Sequence, residues 1–213
     1  MVLVFFLKGV AVGAIIAVPV GPVGVLCLHK SIFEGPLAGL VAGLGAASAD
    51  TVFGIIAAFG LSFISQWLLG YQGPLRAAGG CYLLYAGAHA FLSPPPARLG
   101  EHHDAETLMR GFFSTFVLTI TNPITILAFL GIFAALGLGG THATLLLAGI
   151  MVAGVWTGSL LWWLSLSFGI GMFRRAIGPR QLVWISRGSG VILFASGGAL
   201  LATTVVHFAS RLI

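Results

Sequence analysis

The sequence predicts an all-α polytopic membrane protein of six transmembrane helices, and three observations carry this prediction. Of the 213 residues, 58% are hydrophobic and only 7% are charged, and the mean hydropathy is +1.07, a composition that is foreign to soluble domains. Apolar stretches of about 20 residues, the length that crosses the hydrocarbon core, recur along the whole chain. These stretches are continuous and do not alternate as membrane strands do, so helices are expected.

The apolar stretches divide into two groups of three. The predicted spans are residues 3–28, 36–64, 77–92, 111–138, 143–173 and 182–208. The longest polar segment lies between the third and fourth spans, after a run of three prolines. We therefore predict a first three-helix repeat over residues 1–92, a cytoplasmic linker over residues 93–110 and a second three-helix repeat over residues 111–213.

The polar residues between spans predict the orientation. His29, Lys30 and Glu34 are interpreted as the polar turn between the first two spans. Most basic residues lie in the loops after spans one, three and five, namely Lys30, Arg98, Arg110, Arg174, Arg175, Arg180 and Arg187. Because basic loops stay in the cytoplasm, we predict a multi-pass protein of the bacterial inner membrane with both termini outside the cytoplasm.

The two predicted repeats have similar basic, glycine and proline residues at corresponding positions. Lys8-Gly9 opens the first and Arg110-Gly111 opens the second, and a proline follows each about a dozen residues later. Residues 35–50 parallel residues 140–156 in the same comparison. Each unit holds three spans, so the second copy must enter the membrane from the opposite side. Inverted repeats with broken helices at matching positions are the recurring plan of secondary transporters.

The predicted breaks lie in the first and fourth spans. Pro19, Gly21 and Pro22 interrupt the first, because proline lacks the amide that bonds to the carbonyl four residues earlier and glycine tolerates other dihedral angles. Thr121-Asn122-Pro123 interrupts the fourth in an equivalent way. Polar backbone at membrane depth is tolerated only beside protein or water. Simple kinks in packed helices are the alternative, but two matching motifs favour a cavity lined by both breaks.

Asp50 is the acidic residue well inside a predicted span, about 21 Å from the start of its helix. An ionisable group at that depth is costly, which favours a functional role on an inward face. It could bind a cationic group of the substrate, carry a proton, or only cap the broken helix. Trp156 lies in the middle of the fifth span and is predicted to face the cavity.

Other patterns have structural interpretations. Gly35, Gly39 and Gly43 form a small-residue series that favours packing within the chain, although it also allows a homodimer. The acidic and histidine residues of 101–106 could ligate a metal, but a solvated loop is the preferred interpretation. Catalytic and nucleotide-binding motifs are absent from the sequence, so we predict no enzyme activity, no cofactor, no resident metal and no nucleic-acid partner.

These motifs together resemble the LysE-type translocators over nearly the whole chain. The resemblance rests on the motif from Pro19 to Pro22, the glycine-rich residues 35–50 ending at Asp50, the segment 79–87, and residues 111–123 with their terminal Asn122-Pro123. The usual Pro-Gly-Pro of that family stands here as Val20-Gly21-Pro22 after an earlier proline. The resemblance implies a six-helix exporter of amino acids or derivatives that is driven by a proton or ion gradient.

Three hypotheses follow for function. The first is an amino-acid exporter in which Asp50 and the carbonyls near Pro19 and Pro22 hold the ammonium group of a small-molecule substrate, in a protein surrounded by lipid. The second is a divalent-cation exporter with oxygen ligands from Asp50 and Asn122. The third is a membrane scaffold without transport, against which the matching helix breaks argue.

Overall fold

The computed structural model describes residues 1–18, 21–58, 72–92, 104–122, 145–173 and 176–209, together with residues 125, 128, 129 and 132. No strand occurs among these residues, which confirms the all-α prediction. The helices are α1 (Val2–Ala17), α2 (Pro22–Phe33), α3 (Pro36–Ala58), α4 (Gln72–Leu92), α5 (Ala105–Ile120), α6 (Leu145–Phe173) and α7 (Pro179–Ala209).

Three of these helices are long and apolar enough to cross a membrane. They are α3, the Leu146–Phe173 part of α6 and the Arg180–Thr204 part of α7. The pair formed by α1 and α2 meets the same criterion as one bent unit, with an angle of 84° between its two helices. Six spans in two inverted repeats therefore stay a prediction.

The first predicted span consists of two helices. The helix α1 ends at Ala17, and Gly21 precedes Pro22, the first residue of α2. Proline suits this first position because the amide it lacks would have no partner inside the helix. The predicted break of the first span is thus present between α1 and α2, while Pro19 itself lies outside the described residues.

The connection between α2 and α3 corrects one prediction. His29 and Lys30 do not form a polar turn but belong to the last turns of α2. The Lys30 ammonium lies 2.7 Å from a carboxylate oxygen of Glu34, one turn later, so the charge is paired and the helix continues. It ends at Phe33, and the turn that follows contains Gly35, whose φ of 110° favours glycine.

The start of α5 lies inside the predicted linker. Residues 105–110 are helical, and the Asp104 side chain caps the helix by accepting a hydrogen bond of 3.0 Å from the Thr107 amide. This hydrogen bond lowers the pKa of the exposed Asp104 carboxyl. The helix ends at Ile120, directly before Thr121 and Asn122. The second predicted break thus coincides with a helix end, and Pro123 lies outside the described residues.

Small residues allow close backbone contact between α1 and α6. A Cβ atom at Gly13 would collide with the carbonyl of Val155, and one at Gly158 would collide with the carbonyl of Val10. In the same way α5 packs on α3, where the Thr115 hydroxyl donates a hydrogen bond to the Ala42 carbonyl. Such small-residue contacts are the usual means of packing helices in membranes.

The glycine series at the start of α3 packs within the chain, as predicted. Gly39 lies against Ser31 of α2, and Gly43 lies against the side chain of Trp163 on α6. Each glycine therefore accommodates a neighbour of the same chain. These contacts fix the depth of α3 relative to α2 and α6, and with it the position of Asp50.

Paired glycines join α4 to α7. A Cβ at Gly197 would lie 2.8 Å from the Gly80 carbonyl oxygen, and a Cβ at Gly190 would lie 2.8 Å from the Gly87 carbonyl oxygen. The earlier residue of α4 thus meets the later residue of α7, which makes the two helices antiparallel.

We predict that Gly197→Ala lowers the melting temperature of the detergent-purified protein by several degrees. The added methyl group would have to push α4 away from α7, and overpacking of this kind costs about 1–3 kcal/mol. The adjacent Gly198→Ala is the matched control, because nothing lies within 4 Å of a Cβ at that position. Equal melting temperatures for the two variants would contradict the close contact.

Candidate functional site

A cavity of about 780 Å³ lies where the two helix breaks meet. One side is formed by the end of α1 and the start of α2, and the opposite side by the end of α5 and the helical residues that follow it. Side chains of α3, α4, α6 and α7 complete the wall. The cavity therefore lies between elements of both predicted repeats, as the sequence predicted for a site lined by both breaks.

Most of the cavity wall is apolar, with a limited set of polar side chains. The hydroxyl and amide groups belong to Thr119, Thr121, Asn122, Thr125, Ser196 and Thr203. Asp50 is the charged residue on the described part of the wall. A concave apolar site with a few converging polar groups is typical of small-molecule binding.

Asp50 lies in the middle of α3 and is 3% exposed. Its Oδ2 atom accepts a hydrogen bond of 2.8 Å from the hydroxyl of Ser159 on α6. In the part of the chain that the structure describes, the lysine and arginine ion pairs involve Glu34 and Glu106, and no cation pairs with Asp50. A buried carboxylate held by one hydroxyl can still accept hydrogen bonds from a cationic ligand.

The first break brings two kinds of backbone group to the cavity. The last turn of α1, including Ala17, lines the wall, and the last carbonyls of a helix have no partner within it. Gly21 and Pro22 line the wall at the start of α2. Because amides at a helix N-terminus carry partial positive charge, the break offers both acceptors for an ammonium group and donors for an anion.

The second break is folded back on its own helix end. The Thr121 hydroxyl donates to the Leu118 carbonyl at 3.1 Å, and the backbone N–H of Asn122 donates to the Thr119 carbonyl at 3.0 Å. Thr121 is buried and Asn122 is half-buried, and both line the cavity. These bonds hold the polar segment in one conformation at the cavity wall.

The structure brings five of the predicted site residues together on this wall, namely Gly21, Pro22, Asp50, Thr121 and Asn122. Trp156 is not with them: it is 41% exposed and is not part of the cavity wall. The reason is the rotation of α6. Its contacts with α1 are made by residues such as Gly158, and its contact with Asp50 is made by Ser159, so Trp156 lies beside both packed faces.

Several residues of the site were not predicted from the sequence, among them Ser159, Trp163 and Thr119. Ser159 holds Asp50, and Trp163 and Thr119 line the cavity. A sequence signal existed for Ser159, because a hydroxyl within a long apolar helix often bonds to a neighbouring helix. Trp163 and Thr119 gave no comparable signal, since aromatic and threonine residues are common in such spans.

Two polar atoms in this wall have no hydrogen-bond partner among the described residues. They are the indole nitrogen Nε1 of Trp163 and the hydroxyl Oγ1 of Thr119. Their residues are 3% and 6% exposed, respectively. Buried polar groups are nearly always paired, so two unpaired groups beside one cavity need an explanation.

The fold and the site together define a class of protein. A helical bundle with apolar membrane spans, a broken helix and a buried carboxylate at an internal cavity has the features of a secondary transporter. The chain belongs to the LysE-type translocator family, because the family model for the LysE type translocator matches residues 14–204. It is accordingly a multi-pass membrane protein of a family of translocators.

Two relatives cover most of the chain. One is the Bacillus subtilis (strain 168) protein named "Putative amino acid efflux protein YcgF", which is 26% identical over 203 residues, or 90% of this chain and 92% of the relative. The other is the Escherichia coli (strain K12) protein named "Uncharacterized membrane protein YahN", which is 30% identical over 173 residues, or 78% of this chain and 75% of the relative. No solved structure matches the chain.

Proposed function

We propose that this protein exports amino acids or closely related metabolites from the cytoplasm across the bacterial inner membrane, in exchange for protons or other ions. The observation that carries the proposal is the buried Asp50 carboxylate on the wall of a cavity between two helix breaks. The family membership and the printed name of the Bacillus subtilis relative support export of amino acids.

In this proposal Asp50 holds the ammonium group of the substrate. The Ser159 hydroxyl fixes one carboxylate oxygen and leaves further lone pairs for charge-assisted hydrogen bonds. The carbonyls at the end of α1 supply additional acceptors. Asp50 can hold an ammonium group or a proton but not both, so alternating occupancy couples export of the substrate to entry of a proton.

The packing of the helices supports two inverted repeats. The first helix of each half packs on the second helix of the other half, as α1 does on α6 and α5 does on α3. The third helices α4 and α7 pair with each other. Gly80 meets Gly197 and Gly87 meets Gly190, which is the reciprocal pattern that a two-fold axis generates.

The same symmetry relates Asp50 to Ser159. Asp50 and Ser159 are 109 residues apart. The same shift along the chain relates Gly43 to Val152 and Gly54 to Trp163. Gly43 lies against Trp163, and Gly54 lies against Val152, so these two contacts are exchanged by the shift. This register differs by three residues from the comparison of glycines in the sequence, which had matched Asp50 with Trp156. In the inverted repeat that we propose, the hydrogen bond between Asp50 and Ser159 joins equivalent residues of the two halves.

The arrangement of the helix ends supports the proposed orientation. Lys30 at the end of α2 lies beside Gly111 near the start of α5, and Pro36 at the start of α3 lies beside Gly171 near the end of α6. The helix ends that flank the loops after the first, third and fifth spans thus lie at one end of the molecule. Since these are the basic loops, we assign this end to the cytoplasm and both termini to the other side.

Counterflow in proteoliposomes tests the proposed function. Vesicles containing the purified protein are loaded with one unlabelled compound and diluted into its labelled form, for a panel of amino acids and divalent metal ions. We expect rapid uptake of at least one amino acid, absent from empty vesicles, and faster net flux when a pH gradient is imposed. Flux of metal ions without amino acids would favour the cation exporter, and no flux at all would favour the scaffold.

A further inference from the structure

The unpaired donors of Trp163 and Thr119 differ from the other unpaired polar atoms in one respect. The described residues contain two more such atoms, Nε2 of His29 and Oγ of Ser167, but neither residue lines the cavity. Trp163 and Thr119 do line it. Two residues that line the cavity therefore each have a buried donor whose hydrogen-bonding capacity is not used by the described residues.

Trp163 is held firmly in a position close to Asp50. Its side chain fills the space left by Gly43, where an added Cβ would lie 2.7 Å from the indole Cγ. On α6 it is one turn beyond Ser159, which donates to Asp50. One turn is a rise of about 5.4 Å, which is suited to a ligand that has a cationic group and an anionic group a few ångströms apart.

Thr119 departs from the usual behaviour of hydroxyl residues in a helix. Serine and threonine side chains commonly donate to the carbonyl four residues earlier, and Ser48, Thr51 and Ser165 do so in this protein. The hydroxyl of Thr115, one turn before Thr119, lies 3.1 Å from the Gly111 carbonyl oxygen of its own helix and also donates across to the Ala42 carbonyl of α3. Thr119 makes neither bond, although both kinds are common in this bundle.

The helices α3 and α5, which pack against each other, begin at the same end of the molecule. Lys30 of α2 lies beside Gly111 at the start of α5, and α3 starts directly after α2. The next turn beyond Thr115 on α5 is therefore at the level of the next turn beyond Ala42 on α3, which holds Ala46. Thr119 and Ala46 both line the cavity, so the Thr119 hydroxyl lies near the level of Asp50.

We propose that the indole N–H of Trp163 and the hydroxyl of Thr119 bind the carboxylate of the substrate whose ammonium group is held by Asp50. This inference rests on the proposed function and specifies its substrate class as compounds with a free carboxylate beside an ammonium group. The indole N–H can only donate, so it requires an acceptor, and a carboxylate is the acceptor that an amino acid offers. Amides and decarboxylated amines are then poor substrates.

The test uses variants that remove only the donor. Trp163→Phe keeps an aromatic ring against Gly43, and Thr119→Val keeps the shape of threonine. The probes are the amino acid that the wild type exchanges fastest and its α-carboxamide, which is measured as a competitor of counterflow. We expect each variant to raise the half-saturating concentration of the amino acid about tenfold, as loss of a hydrogen bond to a charged group does, and to change the inhibition by the amide much less.

Two matched variants separate this role from loss of structure. Thr119→Ser keeps the hydroxyl and should restore affinity to near the wild-type value. Trp184→Phe makes the same exchange at a residue that is 71% exposed on α7 and should have no effect. Wild-type affinity in both donor variants, or equal weakening of amino acid and amide, would overturn the inference and leave the proposed function standing. A wild type that exchanges no amino acid would instead defeat the proposed function, and this inference with it.

Discussion

Asp50→Asn is expected to reduce exchange of amino acids in proteoliposomes by about a hundredfold or more. Asparagine has the size of aspartate and can accept the hydrogen bond from Ser159, which lies 2.8 Å from Asp50 in the wild type. The fold is therefore retained, but the negative charge that balances the substrate ammonium group is lost. Removal of one partner from a buried ion pair costs about 3–5 kcal/mol, and each 1.4 kcal/mol is about a factor of ten.

The matched control for this variant is Asp104→Asn. It makes the same chemical change at the exposed cap of α5, where asparagine caps a helix as well as aspartate does. This variant should exchange amino acids at the wild-type rate. If Asp50→Asn also kept the wild-type rate and its dependence on a pH gradient, Asp50 would have no part in binding or coupling.

Ala199→Trp is expected to abolish exchange by filling the cavity. Ala199 lines the cavity from α7 and is exposed, so a larger side chain at this position extends into open space without displacing a packed neighbour. Counterflow should fall to the level of empty vesicles, while the melting temperature stays near that of the wild type.

The control is Ala202→Trp on the same helix. Ala202 is also exposed but is not part of the cavity wall. At about 100° per residue it lies about 60° from Ala199 around α7, on the side away from the lining residues Leu200 and Thr203. This variant should support exchange at close to the wild-type rate. Equal activity of the two tryptophan variants would mean that the solute does not pass through this cavity.

The helix breaks and the buried acid were predictable from single residues. Proline and glycine act on the backbone wherever they occur, so Gly21 and Pro22 sufficed to predict the interruption between α1 and α2. A lone carboxylate within an apolar stretch likewise pointed to Asp50. The predicted bounds of the fifth and sixth spans, 143–173 and 182–208, lie within three residues of those of α6 and α7, because short polar segments end these spans.

Two predictions were wrong for the same physical reason. Each depends on a contact between residues that the sequence does not show. The charge of Lys30 predicts the end of a helix, but its ion pair with Glu34 allows α2 to continue to Phe33. Trp156 was expected at the cavity, but α6 is apolar on all sides and its rotation is set by its contacts with α1 and α3. Those contacts bring Ser159 to Asp50. A hydroxyl within an apolar helix indicates a partner on a neighbouring helix, but it does not indicate which residue that partner is.

Equilibrium binding of the labelled amino acid to the purified protein in detergent tests whether the cavity beside Asp50 binds the substrate. If the cavity beside Asp50 is the binding site, the wild type and Ala202→Trp will bind the amino acid saturably, and Ala199→Trp and Asp50→Asn will not. Wild-type affinity in Ala199→Trp would show that the amino acid binds elsewhere in the protein and would rule out this cavity as its site.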